Sequence, residues 1–125
     1  MLRHVFVYGT LRKGGANDIT RLKPAPLYVG QSQMAGQMFH LGGYPGVILD
    51  APGRVHGEVY AIKPELERVL DEIEELYPQQ RDEYFKRQRS ALVHGQWYDC
   101  IVYEINPRYV EGCPVVTGGD WLLAG

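Results

Sequence analysis

Pro64-Glu65-Leu66-Glu67-Arg68-Val69-Leu70-Asp71-Glu72-Ile73-Glu74-Glu75-Leu76-Tyr77-Pro78 is the stretch of this chain that keeps a helical period. Proline suits the first helical position, where its missing N–H has no intrahelical partner. Leu66, Val69, Leu70, Ile73, Leu76 and Tyr77 recur at the 3.6-residue spacing of one apolar stripe. Pro78 stops the helix by biasing Tyr77 out of helical geometry. Working outward, the flanking segments read as strands. Val5-Phe6-Val7-Tyr8 is a buried strand ending at Gly9. Met38-Phe39, Val47-Ile48-Leu49, Val55 and Val59-Tyr60 read as several short strands, separated by Gly42-Gly43, Tyr44-Pro45-Gly46 and Ala51-Pro52-Gly53. After the helix, 84–93 and 97–105 read as two strands joined by a turn at His94-Gly95-Gln96. A short helix is expected within 14–23, capped at Asn17-Asp18, and 106–125 reads as loop. The order strand, helix, strands, helix, strands predicts an α+β domain with a curved or barrel-like sheet.

The chain has 125 residues, which suits one domain over 1–125 with a self-standing core. Thirteen Lys and Arg against 15 Asp and Glu leave a formal charge of −2. That balance argues against a dedicated nucleic-acid binder, which carries a basic surplus. Arg81, Lys86, Arg87 and Arg89 are interleaved with Asp82 and Glu83 and read as a solvated strand edge. No apolar run approaches the roughly 20 residues of a membrane span, and the first residues lack a signal-peptide pattern. A cytoplasmic protein is expected. Cys100 and Cys113 have neither zinc nor redox spacing and read as inert thiols. His4, His40, His56 and His94 show no metal-ligand spacing, so no metal is expected.

Two places invite chemistry. The first is Tyr8-Gly9-Thr10-Leu11-Arg12-Lys13-Gly14, directly after the first strand. A tight turn at Gly9 would leave the following amides aimed outward, where they could hold a carboxylate or an oxyanion. The segment also suits an ordinary strand-to-loop turn, and it matches neither the phosphate-loop nor the dinucleotide pattern. The second is the acidic helix. Placing successive residues about 100° apart puts Asp71 and Glu75 opposite the apolar stripe, with Glu72 and Glu74 flanking it. A flanking carboxylate can be partly buried, which raises its pKa toward the range of a general base. Periodicity does not choose between Glu72 and Glu74.

The motifs taken together resemble the gamma-glutamylcyclotransferase-like family. The resemblance runs through Val7-Tyr8-Gly9-Thr10-Leu11-Arg12, Gly36-Gln37-Met38-Phe39, Gly43-Tyr44-Pro45-Gly46-Val47 and Val55-His56-Gly57-Glu58-Val59-Tyr60. It continues with Leu70-Asp71-Glu72-Ile73-Glu74, Tyr84 and Gly119-Asp120-Trp121. It implies a small mixed β-barrel flanked by helices and a cavity lined by the loop and one glutamate. Glu74 is then the proton acceptor. Tyr8, Gly9, Thr10, Leu11 and Tyr84 are then substrate-binding. Family members often carry arginine two residues after the tyrosine. Here Tyr84 is followed by Phe85-Lys86-Arg87, and lysine does not copy arginine's bidentate fork.

The reaction implied is intramolecular aminolysis of a small-molecule γ-glutamyl amide, which needs no cofactor. It releases 5-oxoproline and an amine or amino acid. Two alternatives keep the same residues: transfer or hydrolysis of a γ-glutamyl group on a larger metabolite, and a non-enzymatic small-molecule-binding module that retains the cavity.

Overall fold

The computed structural model describes residues 2–74 and 82–124. Its strands are β1 (Arg3–Val7), β2 (Leu27–His40), β3 (Pro45–Ile62), β4 (Tyr84–Val93) and β5 (Gln96–Ile105). Its helices are α1 (Pro64–Ile73) and α2 (Trp121–Ala124). Val5, Phe6 and Val7 are all buried because β1 is the central strand, antiparallel to β3 and parallel to β5. Two antiparallel hairpins, β2–β3 and β4–β5, complete one sheet in the order β2-β3-β1-β5-β4. The α+β class is as expected from sequence.

The sheet does not close into a barrel. Its edge strands β2 and β4 approach until the Ser32 hydroxyl donates to the Leu92 carbonyl at 2.7 Å. A Cβ at Gly30 would lie 2.4 Å from Val93 Cγ1. Side chains seal that seam, and no backbone ladder spans it among the described residues. The short strands expected between 27 and 62 are instead two long ones. Ala51-Pro52-Gly53 does not end β3: Ala35 pairs with Arg54 and Gly36 with Leu49, so residues 50–53 bulge out and the ladder resumes. Asp50 and Gly53 take φ of 58° and 114° to make that excursion. The 94–95 turn has φ of 49° at His94 and 80° at Gly95, matching the twist of a two-residue hairpin.

Side chains alternate across the sheet and fill two cores. Phe6, Tyr8, Met38, Val47, Val59, Cys100 and Val102 pack inside the curl. Val5, Val7, Tyr60, Ile62, Ile101, Tyr103 and Ile105 pack with Leu66 and Leu70 of α1 on the other face. Leu66, Val69, Leu70 and Ile73 of the apolar stripe lie where periodicity placed them, but Asp71 does not lie in solvent. Expected opposite the stripe, it is 5% exposed, because Tyr103 and Lys86 reach across from β5 and β4 to pair with it. The described helix ends at Ile73 with Glu74 as its C-cap. The expected continuation through Glu75, Leu76 and Tyr77, and the stop at Pro78, lie outside the described residues. The segment 14–23 forms one 3₁₀ turn, Ile19–Arg21, capped by Asp18, whose carboxylate accepts from the Thr20 amide. The tail is more ordered than a loop: Val115 bridges to Phe39, the Val116 amide donates to Met38, and α2 follows.

Leu70 is fully buried between α1 and the sheet. Leu70→Ala is expected to lower unfolding free energy by about 2–5 kcal/mol, read from the urea midpoint at unchanged m-value.

Candidate functional site

The loop after β1 is built by hydrogen bonds that turn its carbonyls inward. The Gly9 carbonyl accepts from the Arg12 amide at 3.0 Å, Thr10 from Asn17 at 2.8 Å, and Leu11 from Ile19 at 2.9 Å. The amides of Gly9, Thr10 and Leu11 donate to no carbonyl among the described residues. Gly9 is required by a close approach rather than by φ: a Cβ there would lie 2.7 Å from Pro45 Cγ.

One buried cation fastens this loop. Arg12 Nε donates to Glu58 at 2.7 Å and its Nη1 to Asp120 at 2.7 Å. Glu58 also accepts from the Lys13 amide at 3.0 Å and the Tyr60 hydroxyl at 3.1 Å. Arg12 and Glu58 are both buried, so each of these groups depends on the others for solvation. Gly119 brings Asp120 into place. Its carbonyl accepts from the His56 amide at 2.8 Å, and a Cβ there would lie 1.9 Å from the Arg54 carbonyl oxygen.

The loop opens onto a cavity of about 400 Å³. Tyr8, Gly9, Thr10, Leu11, Glu74 and Tyr84, the six candidates from sequence, all line it. Glu74 arrives from the C-terminal cap of α1, where its amide donates to Leu70 at 2.9 Å. Tyr84 arrives from the first position of β4. Tyr44, Glu83 and Tyr103 line the cavity as well and were not singled out as cavity residues. Tyr44 sits in the Gly43-Tyr44-Pro45-Gly46 turn, one of the motifs legible in the sequence, and its hydroxyl donates to Glu83. Tyr103 and Glu83 carry no local signal, since cross-strand packing alone brings them here. Lys86 points to the acids of α1, contacting Glu67 at 2.5 Å and Asp71 at 3.0 Å.

Three cavity tyrosines have their hydroxyl protons committed. Tyr8 donates to the Tyr103 carbonyl at 2.5 Å, Tyr84 to the Pro45 carbonyl at 2.8 Å, and Tyr103 to Asp71 Oδ1 at 2.7 Å. Burial is the main force raising the pKa of all three above the ordinary tyrosine value. The negative charge of Glu74 adds to it in each case, and the Asp71 hydrogen bond adds further at Tyr103. Burial, with the charge of Glu58 second, does the same to Tyr60. Burial pushes the Cys100 thiol up to about 12, with the charge of Asp99 adding to it, which makes it a poor nucleophile near neutrality. Among the described residues no cluster of His, Cys, Asp and Glu could hold a metal. No helix there is long and apolar enough to cross a membrane.

Two measurements probe this arrangement. Arg12→Met leaves Glu58 and Asp120 without their cation and is expected to cost about 3–5 kcal/mol of stability, read by urea unfolding. The raised phenols stabilise the fold only while protonated. That stabilisation is complete below the ordinary tyrosine pKa near 10 and is lost as pH rises above it. In an alkaline titration followed by tyrosinate absorbance, Tyr8, Tyr60, Tyr84 and Tyr103 are expected to ionise only as the protein unfolds. Smooth ionisation of all nine tyrosines in a chain that stays folded would refute this.

A sequence profile described as "Gamma-glutamyl cyclotransferase, AIG2-like" matches residues 5–123. A Vibrio cholerae protein, provisionally named a gamma-glutamylcyclotransferase, is 35% identical over 94% of this chain and 93% of its own. The gamma-L-glutamyl-butirosin B gamma-glutamyl cyclotransferase of Niallia circulans is 39% identical over 59% of this chain. That match spans 47% of the relative, about half its length. In fold, the crystal structure of an AIG2-like protein from Mus musculus superposes with a TM-score of 0.74 at 24% identity. It covers 90% of this chain and 84% of the mouse chain. With a profile match over nearly its whole length and a full-length relative, the chain belongs to the gamma-glutamyl cyclotransferase, AIG2-like family.

Proposed function

We propose that this protein cyclises a small-molecule γ-glutamyl amide, releasing 5-oxoproline and an amine or amino acid. The observation that carries the reading is the meeting of Glu74 with Gly9, Thr10 and Leu11 in one cavity, the amides of that loop donating to no carbonyl among the described residues, in a chain of this family. Nucleophile and electrophile already share one substrate molecule, so the cavity's task is to select a folded conformer and to handle protons. Glu74 takes a proton from the substrate's α-ammonium group. The freed amine attacks the γ-carbonyl, forming the ring C–N bond. Loop amides hold the oxygen that gains charge in the tetrahedral intermediate. Collapse breaks the amide C–N bond, Glu74 returns a proton to the departing nitrogen, and the ring nitrogen gives up its second proton, which the released amine takes up. No water is consumed and no cofactor is invoked.

The site residues of this proposal are Glu74 as acid–base, with Tyr8, Gly9, Thr10, Leu11 and Tyr84 around the substrate. The tyrosine hydroxyls already donate to backbone carbonyls, so Tyr8 meets a substrate through its ring and Tyr84 through its ring and oxygen lone pairs. The Niallia relative's name specifies gamma-L-glutamyl-butirosin B, which supports a γ-glutamyl substrate without fixing what the γ-glutamyl group is attached to. Membership of this family, with Glu74 lining the same cavity as Tyr8 and Gly9, favours the enzyme over a binding module.

Incubation with a panel of γ-glutamyl amines and γ-glutamyl amino acids is expected to yield 5-oxoproline from at least one member. Free glutamate instead would indicate hydrolysis. Glu74→Gln, folded by circular dichroism, is expected to lose about 10²–10⁴-fold in kcat. Wild-type turnover in that variant would remove Glu74 from the mechanism.

A further inference from the structure

Asp71 takes no part in the chemistry just described, yet it is a 5% exposed carboxylate on the same helix as Glu74. Its Oδ1 accepts from the Tyr103 hydroxyl at 2.7 Å and its Oδ2 from Lys86 Nζ at 3.0 Å. Lys86 also bonds to Glu67 at 2.5 Å, and Glu67 accepts from Arg3 at 2.8 Å. Lys86 and Tyr103 are cross-strand partners in the β4–β5 ladder, so one run of charge-assisted contacts passes from the surface to the cavity wall. Burying a carboxylate is costly, and apolar side chains of similar size often serve stability as well or better. Stability is therefore a weak reason for an acid at this position.

Hydrogen-bond direction supplies a stronger one. A phenol has a single proton to donate, and its oxygen otherwise only accepts. Carbonyls take the protons of Tyr8 and Tyr84, and a carboxylate takes that of Tyr103. All three phenols therefore withhold their protons from a ligand in the cavity; the Tyr84 and Tyr103 oxygens offer it lone pairs, while that of Tyr8 already accepts from the Val47 amide. Without Asp71, Tyr103 could turn its proton toward the cavity and present a donor instead.

We propose that Asp71 is a positioning residue: by holding the Tyr103 hydroxyl proton, it keeps the phenol wall of the cavity an acceptor surface for the substrate's α-ammonium group. The inference rests on the proposed reaction for the identity of the cation, but it is tested by binding as well as by turnover. The binding probes are L-glutamate and glutarate, which differ in the ammonium group and have no amide to cleave.

Wild-type protein is expected to bind L-glutamate more tightly than glutarate in a calorimetric titration. Asp71→Asn, which keeps the size but loses the obligate acceptor, is expected to reduce that preference by about tenfold. Tyr103→Phe, which removes the oxygen and keeps the ring, is expected to do the same and serves if the asparagine variant does not fold. On any γ-glutamyl amide that is turned over, both variants are expected to raise KM by about tenfold, with kcat changed by less than about threefold. Leu66→Ala loosens the same helix without touching this hydrogen bond. It is expected to lower thermal stability and leave the preference intact.

An unchanged glutamate preference in both Asp71→Asn and Tyr103→Phe overturns the proposal, as does a preference lost equally in Leu66→Ala. A wild-type protein with no preference for L-glutamate overturns it too. If no γ-glutamyl amide is cleaved but the preference exists and depends on Asp71 and Tyr103, the cyclisation reading fails while the acceptor wall stands.

Discussion

The buried guanidinium of Arg12 is the contact on which the cavity's shape depends. It joins three segments far apart in the chain: the loop after β1, Glu58 near the end of β3, and Asp120 in the tail. An apolar cluster could bury as much area, but it would not specify how far the loop stands from the sheet. Directional bonds from one planar group to two carboxylates do specify it. Glu58 reaches back to the loop a second time through the Lys13 amide. Two attachments then hold the far end of a turn whose near end is β1. The carbonyls of Gly9, Thr10 and Leu11 turn inward to later loop amides. Their own amides donate to no carbonyl among the described residues, and all three residues line the cavity.

The same contact explains why separated motifs occur together in one sequence. Tyr-Gly-Thr-Leu-Arg supplies the cation, Gly-Glu-Val-Tyr the first carboxylate and the tyrosine that braces it, and Gly-Asp-Trp the second carboxylate. Gly57 and Gly119 belong to this arrangement through space rather than through φ preference alone. A Cβ on Gly57 would lie 2.3 Å from the Val7 carbonyl oxygen, and one on Gly119 would strike the Arg54 carbonyl. Each motif is weak as a string because each is a fragment of one spatial object.

Legibility in the sequence followed the range of the forces involved. Local signals were readable: the 3.6-residue stripe of α1, the 94–95 turn and the alternation in β5 all depend on neighbours a few residues away. The fold class and the gathering of Tyr8, Gly9 and Glu74 were legible once the motifs were taken jointly. Features set by long-range register were not. Ala51-Pro52-Gly53 looks like a strand terminator, yet pairing on either side by β2 carries the strand past it. Barrel closure depended on whether β2 and β4 meet by backbone or by side chains, which no local pattern encodes. Asp71 was placed in solvent because a helical projection sees only the helix, and its burial is created by Tyr103 and Lys86 from other strands.

Burial of an acid is therefore a poor guide to its role here, and its place relative to the cavity a better one. Glu58 and Asp71 are the most buried carboxylates with known partners, and both are engaged by donors that define structure. Among the described acids of α1, Glu74 is the one that reaches the cavity, although it is only partly buried. Its position at the helix end matters. Leu66 and Leu70 anchor the helix about two turns and one turn earlier, and Asp71 fixes its azimuth about one turn before Glu74 through its contacts with Tyr103 and Lys86. An acid used for proton exchange must keep access to the substrate, so it belongs where the helix stops rather than where it is best packed. The buried acids position the surroundings, and in the proposed mechanism the terminal one meets the substrate.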